Sequence, residues 1–321
     1  MHRSPTYYRI SRFSSILSAD DIESRSITMN RGTSAAPVRV WITGAGGLIG
    51  SALLQTASTS VPGWQTYGTT RHDGNLADAT SARTIFHTLQ PDVIIHCAGM
   101  TQAAACERDP AQARTLNVEM TARLVELADK VRTVRIVFFS TDLVFDGRAG
   151  QYDETADANP LNIYGETKVQ AERLVLTNPL HTVIRTSLNG GVSPSGDRGF
   201  NEDLRRAWQA GRTVNLFTDE FRCPIHARVT ARAVWALIEQ NHAGLYHIAG
   251  TERLSRWQIG RLVAQRWPQL NPTLAPVSRL TYTGPPRPAD TSLNCARVQQ
   301  LLPFTLPGFT EWLQSNPNEL F

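Results

Sequence analysis

Tyr164 and Lys168 stand four positions apart in the segment Tyr-Gly-Glu-Thr-Lys, and residues of these types could transfer a proton together. Lysine is scarce in this chain: Lys130 and Lys168 are the only lysines among 32 basic residues. Positions i and i+4 share a helix face, so the phenol and the ammonium can point into one pocket. A lysine can lower the pKa of the phenol and donate hydrogen bonds to sugar hydroxyls, which a guanidinium does poorly. The spacing predicts an acid–base pair; the alternative is an accidental pair on a solvated helix.

A glycine-rich turn precedes this pair. Gly44, Gly47 and Gly50 are spaced three apart, directly after the apolar run at 38–43. Because glycine has no side chain, the turn can tighten and its backbone can approach a pyrophosphate. The helix that follows supplies N–H groups and partial positive charge. The pattern predicts a dinucleotide site, and we include Leu48 and Ile49 among its cofactor-binding residues.

The next predicted strand, 64–70, ends without the acid that would hold the ribose diol of NAD. Arg71 stands there instead, and a guanidinium suits the 2′-phosphate of NADP. We therefore expect NADPH as the cofactor; the alternative is an ordinary surface arginine.

Apolar runs alternate with amphipathic segments through the first two thirds of the chain. We predict strands at 92–97, 134–139 and 181–185 and helices at 111–130 and 164–176. This order predicts an α/β fold, a doubly wound parallel sheet of the Rossmann type. We assign 37–187 to an NADP-binding domain and 188–321 to a smaller substrate lobe, with about 224–249 returning to the main sheet.

The composition excludes several classes of protein. The chain has 321 residues, 41% apolar and 19% charged, which suits one large or two closely joined globular domains. No apolar stretch reaches the ~18 residues of a membrane span. The net charge of +4 is dispersed, which argues against nucleic acid as a partner.

Four cysteines, at 97, 106, 223 and 295, lack the spacing of a metal site. We expect reduced thiols in a cytoplasmic protein, and no metal. Residues 1–36 are rich in serine and arginine; we expect a disordered extension, or a true start nearer Met29, in preference to organellar targeting.

Several motifs accompany the tyrosine and the lysine. They are Gly-x-x-Gly-x-x-Gly at 44–50, Ser-Thr-Asp-x-Val-Phe-Asp-Gly at 140–147, Asn-Pro-Leu-Asn-Ile-Tyr-Gly-x-x-Lys at 159–168, Ile-Arg-Thr-Ser at 184–187 and Arg-Pro-x-Asp-x-Ser-Leu at 287–293. Over about 38–303 the chain resembles the extended short-chain dehydrogenase/reductases, specifically their dTDP-4-dehydrorhamnose reductase branch.

The resemblance implies a role for each motif residue. Tyr164 would give a proton to a carbonyl oxygen as the nicotinamide delivers hydride, Lys168 would bind the nicotinamide ribose, and Thr141 would hydrogen-bond the reacting oxygen. It also implies that Ala98, Gly99 and Tyr164 contact the cofactor. The substrate-binding residues that it implies are Thr101, Asp142, Asn189, Arg222 and Arg287. Asp142 either touches the sugar or caps a turn. Asn117 falls where the family keeps a helix-distorting asparagine; the alternative is a solvent-facing residue in the middle of the helix.

Departures from the family pattern concern the substrate. Related dehydratases carry an acid where this chain has Leu143, and a leucine cannot abstract a proton, so dehydration is disfavoured. The rhamnose-pathway enzymes usually place aromatic residues at the positions of Leu143 and Leu188, near the sugar.

The leading hypothesis is NADPH-dependent reduction of a 4-keto-6-deoxy sugar nucleotide. One alternative is a non-catalytic NADP-binding regulatory subunit, resembling the beta subunit of methionine adenosyltransferase; another is a sugar-nucleotide epimerase with tightly held NAD. The expected partner is a small-molecule sugar nucleotide, and the resemblance leaves a homodimer open.

Overall fold

The computed structural model describes residues 36–131 and 133–321. The predicted disordered extension lies outside the described residues, apart from its last position. Within the described ranges the strands are, in chain order, β1 (Arg39–Thr43), β2 (Gln65–Thr69), β3 (Val93–His96), β4 (Arg135–Thr141), β5 (Thr182–Thr186), β6 (Asn189–Gly190), β7 (Val214–Phe217), β8 (Phe221–Arg222), β9 (Ile225–His226), β10 (Gly244–Ile248), β11 (Leu254–Ser255) and β12 (Leu274–Val277).

The helices of the same ranges alternate with these strands. They are α1 (Leu48–Ser60), α2 (Ala79–Leu89), α3 (Ala103–Arg108), α4 (Pro110–Arg114), α5 (Met120–Lys130), α6 (Ile163–Val175), α7 (Phe200–Gln209), α8 (Ala227–Glu239), α9 (Arg256–Ala264), α10 (Ala296–Gln299) and α11 (Phe309–Ser315). None of them has the length and apolar content that crossing a bilayer requires.

A six-stranded parallel sheet forms the centre, in the order β2-β1-β3-β4-β5-β10. Successive side chains of a strand point to opposite faces, so its apolar strands bury both faces at once. Val40 and Ile42 lie in the core shared with α1 and α8, whereas Trp41 between them lies in the core shared with α2, α5 and α6. The predicted doubly wound Rossmann-type sheet is therefore confirmed.

The chain beyond β5 builds a smaller lobe from short strand pairs. β6 pairs with β9 and β7 with β12 in parallel, while β8 pairs with β11 in antiparallel. Between them, β10 runs parallel to β5 at the edge of the main sheet. The domain boundary at residue 187 stays a prediction.

The chain is helical over the whole of the predicted range 111–130, but it is not α-helical throughout. A π-helical turn, Thr115–Glu119, separates α4 from α5. Asn117 lies in this turn, 2% exposed, and its side chain bonds both backbone groups of Met100: Oδ1 accepts from N at 2.7 Å and Nδ2 donates to O at 3.0 Å. The wider turn aims the carboxamide at the segment after β3, as π-turns at functional sites commonly do.

Candidate active site

The strand order reverses between β1 and β3, and the crevice outside their carboxyl ends is where such sheets bind ligands. Gly44 follows β1 with φ of +68°, in the left-handed region that favours glycine. A Cβ on Gly44 would lie 2.7 Å from the backbone N of Ala98, which follows β3. The glycine therefore lets two strand-end turns touch.

Gly47 and Gly50 complete this turn. Gly47 precedes α1 without a side-chain cap, and a Cβ on Gly50 would collide with the carbonyl of Gly44. Leu48 and Ile49 form the first turn of α1, with Leu48 buried. The first N–H groups of a helix lack intrahelical partners, so this end offers donors and positive partial charge to an anion.

The other predicted cofactor residues lie at the same edge of the sheet. Arg71 is exposed, two residues after the end of β2. Gly99 follows Ala98 and approaches the Asn117 side chain so closely that a Cβ would lie 2.8 Å from its Oδ1. The glycine turn, Arg71 and the turn after β3 thus surround one crevice.

Thr141, Tyr164 and Lys168 are brought together next to this crevice. Thr141 ends β4, while Tyr164 and Lys168 lie one turn apart on the buried face of α6. They are 7%, 8% and 6% exposed, and Thr141 is close enough to the Tyr164 phenol to affect its pKa. The Thr141 hydroxyl donates to Asp142 Oδ1 at 3.3 Å and accepts from Leu143 N at 3.2 Å. Their catalytic roles remain predictions.

Burial raises the pKa of the Tyr164 phenol well above its ordinary value; the Thr141 hydrogen bond opposes the rise and the charge of Asp142 adds to it. The sequence predicts a pKa lowered by Lys168. The direction differs because burial disfavours the charged phenolate more strongly than the neighbouring groups favour it. Tyr164 therefore holds its proton at neutral pH.

Burial also lowers the pKa of Lys168 to about 8, against the opposing charge of Glu172. The Lys168 ammonium lies 3.9 Å from the centroid of the Phe138 ring, a cation–π contact. The lysine is thus close to the point of losing its charge in the neutral range.

Buried hydrogen bonds fix the first turns of α6. Asn117 Nδ2 donates to Thr167 Oγ1 at 3.0 Å, and Glu107 Oε1 accepts from the N–H of Ile163 at 2.8 Å. The Asn162 side chain caps the helix by accepting from Gly165 N. These contacts hold the helix that carries the tyrosine against the segments after β3.

Asp142 forms a buried ion pair. Its Oδ1 lies 2.8 Å from a terminal nitrogen of Arg222, and its Oδ2 accepts from Ser187 Oγ at 2.7 Å and Thr291 Oγ1 at 3.1 Å. Thr141, and not Asp142, caps the turn after β4, so the capping alternative is wrong. The Asp142 carboxylate therefore has its hydrogen-bond and charge partners within the protein, which a buried anion requires.

Asp142 belongs to a larger cluster of buried charges. Glu220 is fully buried. Its Oε1 lies 3.2 Å from Arg222 Nη2, 4.0 Å from Arg256 Nε and 2.9 Å from Arg287 Nη2. Burial alone would raise the pKa of Glu220, but Arg222 and the other two arginines lower it to about 2. Two carboxylates here face three guanidiniums, which leaves one positive charge without a matching carboxylate in the cluster.

The predicted substrate residues are not equivalent in the structure. The Arg222 side chain is 7% exposed and spans two carboxylates, whereas that of Arg287 is 28% exposed. Thr101 is exposed ahead of α3. The Asn189 amide is occupied internally, donating to Thr186 at 2.8 Å and accepting from Thr230 at 2.7 Å.

Glu220 and Arg256 were not found by sequence reasoning. Arg256 starts α9, and its side chain is 15% exposed and stacks 3.7 Å from the centroid of Phe200. Nothing distinguishes it in a sequence with so many arginines. Within the described ranges, no three histidine, cysteine or acidic residues group as a metal site would need.

Comparisons with known proteins identify the family and the fold. A family model described as the RmlD substrate binding domain matches residues 38–320. A hypothetical dTDP-4-dehydrorhamnose reductase from Sulfolobus tokodaii is 30% identical, with a TM-score of 0.74, over 85% of this chain and 97% of that chain. Methionine adenosyltransferase 2 subunit beta from Bos taurus is 28% identical over 277 residues, 82% of each protein. A dTDP-4-dehydrorhamnose reductase from Bacillus anthracis, in complex with NADP, has a TM-score of 0.78 over 87% of this chain and 98% of that chain, and at 22% identity shows the fold.

The fold and the family match define an extended short-chain dehydrogenase/reductase, which confirms the resemblance seen in the motifs. The chain belongs to the family of the RmlD substrate binding domain.

We expect Asp142→Asn to lower the free energy of unfolding by about 3 kcal/mol, because a buried guanidinium loses one of its charged partners. Urea denaturation of the purified variant measures this loss. The matched control is Glu126→Gln, which removes a carboxylate from the exposed pair with Lys130 and should leave the midpoint unchanged. An Asp142→Asn midpoint equal to that of the wild type would contradict the prediction.

Proposed function

We propose that this protein reduces a 4-keto-6-deoxy sugar nucleotide with NADPH. The observation that carries the proposal is the buried Tyr164 phenol, which has Thr141 beside it at the end of β4 and Lys168 one helical turn away. The similarity to a protein titled as a hypothetical dTDP-4-dehydrorhamnose reductase supports it.

The glycine turn fits a dinucleotide, since Gly44 and Gly50 allow a tight turn and the half-buried Gly47 leaves the start of α1 without a side-chain cap. Its backbone would hold the pyrophosphate, and Arg71 the 2′-phosphate. NADPH supplies the hydride when bound.

The proton transfer falls to this chain's own residues. Tyr164 would donate its phenolic proton to the carbonyl oxygen as the carbon is reduced, and Thr141 would hold that oxygen with a hydrogen bond. Lys168 would bind the ribose hydroxyls and stabilise the tyrosinate left after proton transfer.

The substrate end of the site offers positive charge and an apolar wall. Arg256 and Arg287, the partly exposed members of the charge cluster, would bind the diphosphate of the sugar nucleotide. A set of apolar side chains packs on the core that contains Tyr164 and would accept the methyl group of a 6-deoxy sugar: Met100, Ala103, Leu143 and Ile163.

Replacing the proton donor tests the mechanism. Tyr164→Phe should lower kcat by ~10² or more while the KM for NADPH changes little, because the lost group acts in the transition state. NADPH oxidation with a dTDP-4-keto-6-deoxyhexose is followed at the nicotinamide absorbance. Tyr246→Phe is the control, since its buried hydroxyl donates to Ala243 O away from the strand-end site. Turnover by Tyr164→Phe at the wild-type rate would remove the mechanism.

Replacing Arg71 tests the cofactor. Arg71→Ala should raise the Kd for NADPH about tenfold and leave that for NADH unchanged, because only NADPH has the 2′-phosphate. Arg39→Ala, at the opposite end of β1, is the control. Equal effects of Arg71→Ala on both nucleotides, or none on NADPH, would argue against this phosphate contact.

A second candidate function is a regulatory subunit, favoured by the 28% identity to methionine adenosyltransferase 2 subunit beta over 82% of both proteins. Such a protein would bind NADP, co-purify with a methionine adenosyltransferase catalytic subunit and turn over none of a panel of keto sugar nucleotides. Turnover of any member of the panel with NADPH would favour the reductase.

A further inference from the structure

A third ionisable residue continues the row of Tyr164 and Lys168 on α6. Glu172 follows Lys168 by four residues, as Lys168 follows Tyr164, so all three share one face of the helix. Glu172 is only 3% exposed. A carboxylate buried in this position needs partners, and these are found on two strands.

Arg185 of β5 and Ser140 of β4 hold the Glu172 carboxylate in place. The Arg185 guanidinium donates from Nε to Oε1 at 3.0 Å and from a terminal nitrogen to Oε2 at 2.7 Å. The Ser140 hydroxyl also donates to Oε1. The bidentate pair, with 7% and 4% exposed side chains, fixes where this negative charge lies relative to the helix.

The other ionisable groups around Lys168 are uncharged near neutral pH. On the β3 side, burial lowers the pKa of His96 to about 3, with the charge of Lys168 adding to the effect, and burial raises the pKa of the Cys97 thiol. On α3, burial raises the pKa of Cys106. Burial raises the pKa of the Tyr164 phenol as well. Glu172 is therefore the anion that counters the burial of Lys168 among the neighbours that the structure describes.

We propose that Glu172 is a positioning residue for Lys168: fixed by Arg185 and Ser140, its carboxylate keeps the buried ammonium charged at neutral pH. The functional meaning rests on the proposed function, in which a charged Lys168 binds the nicotinamide ribose. The coupling between Glu172 and Lys168 is a property of the folded chain and is measured without cofactor or substrate.

Arg185 gives the proposal a second, opposite consequence. Its guanidinium is a buried positive charge, and both it and the Lys168 ammonium are stabilised by the negative charge of Glu172. Removing the carboxylate leaves two buried cations, which disfavours the lysine charge, whereas removing the guanidinium leaves the carboxylate facing the lysine, which favours it.

The scarcity of lysine makes a direct test practical. In protein labelled with ¹³C-lysine, Lys130 and Lys168 give the only side-chain lysine signals, and Lys130→Arg assigns them. We expect the wild-type Lys168 signal to titrate at about pH 8. Glu172→Gln should move that midpoint at least about one pH unit lower, and Arg185→Gln should move it higher. Near-UV circular dichroism verifies that each variant is folded.

Glu166→Gln is the matched control, because it removes the same charge from an exposed position of α6 two residues before Lys168. It should leave the midpoint within about 0.3 pH units of the wild type, as expected for a solvent-screened charge. A wild-type midpoint near the ordinary lysine value, or equal midpoints in the Glu172 and Glu166 variants, would overturn the proposal. The opposite shift in Arg185→Gln decides the matter if Glu172→Gln does not fold.

Cofactor affinity is measured separately. With the proposed function, the Kd for NADPH rises above the Lys168 midpoint, so the rise begins at lower pH in Glu172→Gln than in the wild type. A shifted Lys168 midpoint with an unchanged affinity profile would support the coupling and count against the ribose-binding role of Lys168.

Discussion

The buried ion pair between Asp142 and Arg222 is the contact on which the rest of the site depends. Asp142 directly follows Thr141, so the pair fixes the end of β4 against β8 of the smaller lobe. Ser187 and Thr291 donate to the same carboxylate and add the ends of two further segments. Such a pair need not stabilise more than apolar packing would, but a charge left without its partner is strongly destabilising. It therefore specifies how the lobe meets the sheet.

Burial then determines the chemistry that this arrangement can support. Withdrawal from water disfavours a charged group, so it raises the pKa of an acid such as Tyr164 and lowers that of a base such as Lys168. For Lys168 the penalty on the folded state applies fully below about pH 8 and declines as the pH rises toward 10.5, where the unfolded lysine also loses its proton. At neutral pH this amounts to about 3 kcal/mol.

The sequence predicts best those features in which local geometry leaves few choices. Gly44 has a positive φ and touches the backbone after β3, so only glycine suits this position and the glycine spacing alone predicts the turn. The strands are also predictable, since buried parallel strands are continuous apolar runs. The π-turn at Thr115–Glu119 is expected from the family resemblance, which marks Asn117 as helix-distorting, and not from the local residue pattern, since Asn117 bonds Met100, seventeen positions earlier.

Charge pairs between residues far apart in the chain cannot be predicted from this sequence. Asp142 and Arg222 are 80 positions apart, and Glu220 and Arg287 are 67 apart. The chain has 32 basic and 28 acidic residues, so composition alone does not indicate which pairs form. The fold decides, by bringing β8 and α9 against the end of β4. The sequence places Arg222 and Arg287 in one role, and the structure separates them by exposure into an internal bridge and a partly exposed residue.

The free-energy cost of burying Tyr164, Thr141 and Lys168 helps to choose between the two proposed functions, a reductase and a regulatory subunit. A lysine that binds a cofactor ribose recovers part of its burial penalty on binding, whether or not any reaction follows. The Tyr164 phenol and the Thr141 hydroxyl lie on α6 and at the end of β4, so binding of a dinucleotide at the glycine turn offsets none of the cost of burying them. Their joint placement gains its advantage when an oxygen that accumulates negative charge lies between them, as in carbonyl reduction. On physical grounds the tyrosine and threonine therefore favour the reductase, whereas the glycine turn and the lysine suit both functions.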